Sequence, residues 1–163
     1  MDLTFGGDPT TAVYFDEDNS NSTYCEVSVT QATIANIDEF YFGWRLAAGR
    51  FDANDANSND TYAMFRVPDA LGDLDIETEL NGGGTLNDDA TEVWADTETH
   101  ILRVTLLADS VTFALNGTAV TQTNAVLNLD ATDRMVCFLG FQQAAPAADA
   151  GIVLNYVEIG RSQ

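Results

Sequence analysis

Residues Thr99–Val120 read THILRVTLLADSVTFALNGTAV, and no other stretch constrains the fold as tightly. Leu102, Val104 and Leu106 alternate with polar or smaller neighbours, so on an extended strand they share one face. Ala108, Asp109 and Ser110 can turn the chain. Val111, Phe113 and Leu115 then repeat the alternation. Asn116-Gly117 follows, a pair that accepts the positive φ angles of a two-residue hairpin turn. A further strand begins at Thr118. The segment is therefore predicted to be a three-stranded meander with one buried face.

The rest of the chain repeats this grammar. Short runs of strand formers recur between Gly, Asn, Asp and Pro, and nothing reads as a helix longer than a turn or two. Strands are expected near 11–16, 23–31, 38–48, 60–67 and 73–80, then 99–107, 110–116, 118–122, 135–142 and 151–160. Many short strands with turns between them predict an all-β, antiparallel β-sandwich or jelly roll. The 163 residues suit one such domain, 1–163. Residues 1–22 are expected to form an N-terminal docking segment, and 143–151 (QAAPAADAG) a surface loop.

Three pieces together resemble the concanavalin A-like jelly rolls of the laminin-G and legume-lectin type. They are His100-x-Leu102-Arg103-Val104, then Val111-x-Phe113-x-Leu115-Asn116-Gly117-x-x-Val120, then Val153-x-Asn155-Tyr156-Val157-Glu158-Ile159. The likeness covers roughly 95–160; over 23–82 it rests on strand order. It implies two antiparallel sheets of about six or seven strands, with the terminal strands side by side. The family includes lectins, glycoside hydrolases, adhesion domains and virion proteins, so the resemblance speaks to fold rather than to function.

Charge narrows the partners. There are 26 acids and 6 basic residues, for a net charge of -20, and every basic residue is Arg. Such a chain repels itself in dilute buffer. At molar salt the Debye length falls to about 3 Å and the repulsion is screened. The composition therefore reads as adaptation to extreme salinity. Without a basic patch, nucleic acid is not expected as a partner. No apolar run reaches the roughly 18 residues of a membrane span, and the first residues lack the basic and apolar regions of a secretory signal.

Several residues are candidates for chemistry. In DLDIETEL, the acids Asp73, Asp75, Glu77 and Glu79 fall at every second position and share a strand face. Asp73-Leu74-Asp75-Ile76-Glu77 resembles the Glu-x-Asp-x-Glu strand of some glycoside hydrolases of this fold. There the resemblance implies nucleophile, orienting acid and acid/base in that order, with two carboxyls about 5–5.5 Å apart. Asp73 is one methylene shorter than the expected Glu. The competing expectation is a solvated face kept wet by its acids. Asp52, Asp55, Asn57, Asn59 and Asp60 place oxygen ligands in one loop and could hold calcium. An EF-hand is excluded, because Asp60 replaces its turn glycine and Arg66 its twelfth-position Glu. Trp94 follows a polar run and could offer a surface platform for a sugar. Trp44 shares a face with Phe40 and Phe42, so it is expected in the core. His100, the only histidine, lacks a nucleophile motif and reads as a partly buried structural residue. Cys25 and Cys137 are either core thiols or one disulfide.

The resulting expectation is a non-enzymatic virion structural protein. It would be a capsid decoration (cement) or surface protein of a tailed virus infecting an extreme halophile, assembled in the host cytoplasm. Its partners would be major capsid or other virion proteins and copies of itself. A carbohydrate-binding, lectin-like module, with or without calcium, is the first alternative. A glycoside hydrolase using Asp75 and Glu77 is the second.

Overall fold

The computed structural model describes residues 2–4, 14–15, 22–46, 61–68, 72–80, 83–107, 110–123, 135–144 and 151–161. The strands are β1 (Asp2–Thr4), β2 (Tyr14–Phe15), β3 (Thr23–Gln31), β4 (Ile37–Leu46), β5 (Tyr62–Val67) and β6 (Asp73–Glu79). They continue as β7 (Leu86–Val93), β8 (Thr99–Leu107), β9 (Ser110–Leu115), β10 (Thr118–Ala119), β11 (Met135–Gln143) and β12 (Ile152–Arg161). They form an antiparallel sandwich. One sheet has seven strands, in the order β1-β11-β4-β5-β6-β7 with β2 also on β11; the other has five, in the order β10-β9-β8-β3-β12.

The predicted meander is present. β8 pairs with β9 and β9 with β10. Asn116 and Gly117 turn between β9 and β10 with φ of 50° and 80°, as a type I′ hairpin requires. Leu102, Val104, Leu106, Val111, Phe113 and Leu115 are all buried. The last strand, β12, lies along β3, as expected of a final strand closing on the early ones, but β1 lies along β11 in the other sheet, so the two terminal strands are not side by side. Two further details differ. The second sheet has five strands rather than six or seven. β7 was not anticipated, because Leu-Asn-Asp-Asp-Ala-Thr-Glu-Val offers few strand formers. It is held by pairing to β6, which supplies what its own propensity lacks.

The core lies between the sheets. Phe40, Phe42, Trp44, Phe65, Ile76 and Trp94 meet Val27, Val104 and Phe113 there. Phe65 packs edge-on against Phe113 at 5.3 Å between ring centres. Trp44 crosses the gap and donates from Nε1 to the Val104 carbonyl at 3.0 Å. Cys25 and Cys137 are buried free thiols on opposite sheets. Burial pushes the Cys25 thiol well above its ordinary range, as expected for an inert core cysteine.

The seven-stranded sheet is also buried on part of its outer face. Tyr41, Tyr62, Met64 and Phe138 point away from the main core and form a second apolar cluster. Gly140 belongs to this arrangement: a Cβ there would overlap the Tyr41 ring.

Candidate functional site

The outer face of the seven-stranded sheet places an arginine among the acids of the DLDIETEL row. Strand alternation sends Ala63, Phe65 and Val67 to the core, so Tyr62, Met64 and Arg66 face outward. On β6, Leu74 and Ile76 point inward, and Asp73, Asp75, Glu77 and Glu79 take the opposite face. The register then sets one row across the strands: Tyr41 opposite Arg66, Arg66 opposite Asp75, and Asp75 opposite Asp89.

Arg66 does not bond its direct neighbour Asp75. Its fork reaches the two diagonal acids. Nε and Nη2 both lie 2.7 Å from Glu39 Oε1, and Nη1 lies 2.9 Å from Glu77 Oε1. Charge-assisted contacts of this kind are the strong ones. Burial works against the Arg66 charge, but Glu77 and Glu39 outweigh it and hold the guanidinium more firmly protonated. Glu77 is 3% exposed, and its second oxygen, Oε2, is buried with no hydrogen-bond partner. Burial raises the Glu77 carboxyl above its ordinary range despite the pull of Arg66. Asp75 is raised as well, first by burial and then by the charges of Glu77, Asp89 and Asp73.

The row is therefore not a uniformly wet face. Asp73 is exposed and Asp75 and Glu79 are half-buried, while Glu77 is buried. The solvated-face expectation fails at Glu77, because Glu77 lies opposite buried Met64 and is held by Arg66. Arg66 and Glu39 were not singled out from the sequence. The available signal was a charged residue at the outward phase of the apolar strand YAMFRV.

A second polar region lies where the free edges of the two sheets approach. A cleft of about 330 Å³ is lined by Asp89, Thr91, Glu92, Leu115, Asn116 and their neighbours on β7 and β10. A register shift between Leu74 and Asp75 leaves Ala90 and Thr91 as a bulge on β7, and Thr91 has a φ of 60°. That conformation is costly for a β-branched residue. Asp89 Oδ1 offsets part of the cost by accepting the Thr91 N–H at 2.6 Å.

Beside this cleft, Glu92, Glu98 and His100 bring potential metal-ligand atoms within 4.8 Å of one another. The hydrogen bonds argue against a metal there. Asn116 Oδ1 accepts the Ile101 N–H at 2.8 Å, which turns its Nδ2 towards His100 Nδ1 at 3.3 Å. Nδ1 is thus set to accept, and Nε2 lies 3.4 Å from Glu98 Oε2. For Nε2 to ligate a metal, Nδ1 would carry a proton and face an acceptor, whereas here it faces the Asn116 amide Nδ2. The cluster pins the β7–β8 turn instead: Glu98 also accepts the Ala95 N–H at 3.0 Å.

Trp94 does not form a surface platform. It is 1% exposed and packs edge-on against Phe40 and His100, at 5.2 and 5.0 Å between ring centres. His100 is buried more completely than expected. Trp44 lies in the core as expected. The calcium candidates Asp52, Asp55, Asn57, Asn59 and Asp60 lie outside the described residues, as does all of the 1–22 docking segment except 2–4, 14–15 and Ser22.

No protein-family model matches the chain, and no curated protein matches it in sequence. Solved structures do. Sheep galectin-11, in complex with glycerol, is 14% identical with a TM-score of 0.56, covering 91% of this chain and 94% of that one. An alginate lyase from Pseudomonas aeruginosa is 9% identical with a TM-score of 0.57, covering 91% and 68%. CG-16, a homodimeric agglutinin from chicken liver, is 9% identical with a TM-score of 0.55, covering 98% and 100%. At such identities the likeness speaks for the fold, which is the concanavalin A-like jelly-roll sandwich. Lectins and polysaccharide lyases both occur among these neighbours, so the fold admits binding and catalysis alike.

Proposed function

We propose that this domain is a non-enzymatic carbohydrate-binding module that engages its ligand on the outer face of the seven-stranded sheet. The observation that carries this reading is the Glu39–Arg66–Glu77 network with the unpartnered Oε2 of Glu77 beside it. A buried, fixed acceptor beside half-exposed Asp75 and Arg66 is the polar constellation that orients sugar hydroxyls. The lectins among the structural neighbours add support at the level of fold.

A glycan array run at high salt, with and without chelator, tests the reading. Binding that is lost in Arg66→Ala and indifferent to chelator supports it. A blank array under both conditions refutes it. Release of reducing sugar by the wild type, absent in Glu77→Gln, would instead establish the hydrolase alternative.

The finer setting, a decoration or surface protein on the virion of a tailed virus of an extreme halophile, rests on the lysine-free charge of -20. It calls for co-purification with particles and for loss of the fold below about 1 M salt. Full stability in dilute buffer would count against it.

A further inference from the structure

The charge around Arg66 narrows the saccharide class. Resting on the reading above, we infer that the outer-face site takes a sugar bearing an ammonium group, an amino sugar, and disfavours uronates. Recognising a carboxylated sugar requires a cation with donors to spare. Arg66 is a poor candidate, because its charge is already matched by two carboxylates: Nε and Nη2 lie against Glu39 and Nη1 against Glu77. Around it the same face carries Asp73, Asp75 and Glu79.

Two features show that negative charge is in surplus. Asp75 and Asp89 stand directly opposite one another across β6 and β7, an arrangement that is destabilising for like charges. Glu77 is almost wholly buried, yet Oε2 has no donor. An ammonium seated between Asp75 and Glu77 would relieve both at once. It would place a cation beside two carboxylates and give the orphaned oxygen a charge-assisted hydrogen bond. A uronate in the same place would add a third or fourth like charge. The ligand is thus selected by repulsion as well as by attraction.

Titration calorimetry with three oligosaccharides of equal length tests this: glucosamine oligomers, N-acetylglucosamine oligomers and uronate oligomers. The first two differ mainly in charge. The expected order is glucosamine tightest, about tenfold ahead of its acetylated counterpart at moderate salt, and uronate weakest. A chain of net charge -20 also attracts polycations non-specifically, so two variants locate the effect. Asp75→Asn should bring the glucosamine preference close to one. Glu158→Gln, the same change at an exposed position on the five-stranded sheet, should leave it intact. Uronate binding as tight as glucosamine binding, or a preference that survives Asp75→Asn, overturns the inference while leaving the saccharide reading standing. Absence of binding by all three also overturns the inference, while the saccharide reading itself falls only to a blank glycan array.

Discussion

Each sheet carries an arginine among acids on its outer face, and the two sites differ in depth. On the five-stranded sheet, Arg103 lies 3.6 Å from Glu26 and stacks over the Tyr24 ring at 3.6 Å. Tyr24 donates to Glu158, and Tyr156 donates to Glu26 at 2.7 Å, which pushes the Tyr156 hydroxyl up to about 12. On the seven-stranded sheet, Arg66 holds Glu39 and Glu77. The Arg103 side chain is 36% exposed, whereas Glu77 is 4% exposed at its side chain. The chemistry is similar, but water screens the first site and is largely excluded from the second. Exposed ion pairs contribute little, whereas removing one partner of a buried pair leaves an uncompensated charge. The comparison teaches that the shallow cluster decorates its sheet, while the deep one holds a buried carboxylate oxygen without a donor.

The largest expected effect is Arg66→Ala, which strands two carboxylates and should cost about 3 kcal/mol in denaturant unfolding. Loss below about 1 kcal/mol would make the two arginines equivalent and end the contrast. Trp44→Phe comes next, since it leaves the Val104 carbonyl without its buried donor; about 1–2 kcal/mol is expected. Arg103→Ala should cost about 1 kcal/mol or less and lose even that at high salt.

The pH profile sharpens the same contrast. Glu77 and Asp75 are raised in the folded protein, so they bind protons more tightly there than when unfolded. Their contribution to stability is full below the ordinary values of 4.5 and 3.8 and is lost as the pH rises through the raised ones. Melting temperature should therefore fall as pH rises across that window, and Glu77→Gln should flatten the fall. A profile unchanged by Glu77→Gln would place Glu77 in solvent. A final, smaller readout is thiol chemistry: Cys25 and Cys137 should resist a thiol reagent in the folded state and react only on unfolding.

The meander was legible because its information is local. Period-two alternation from Leu102 to Leu115 and the Asn116-Gly117 turn each act within a few residues, and much of β3 follows the same rule, whereas β4 and β11 read as near-continuous apolar runs. β7 was illegible because pairing with β6, not its own residues, holds it. Trp94 was misplaced for a related reason: polar neighbours in sequence do not reveal that Phe40 and His100 close over it.

The DLDIETEL row separates the two kinds of information. Sequence alone determined its period and its shared face, because side-chain alternation is a property of the extended backbone. Only the tertiary structure decided that Glu77 is buried and clamped by Arg66 while Asp73 stays in water. Burial depends on which strands come to lie alongside. β5 brings Arg66 and Met64 to β6, and β4 brings Glu39. That long-range pairing turns one member of an acidic row into a buried, clamped carboxylate.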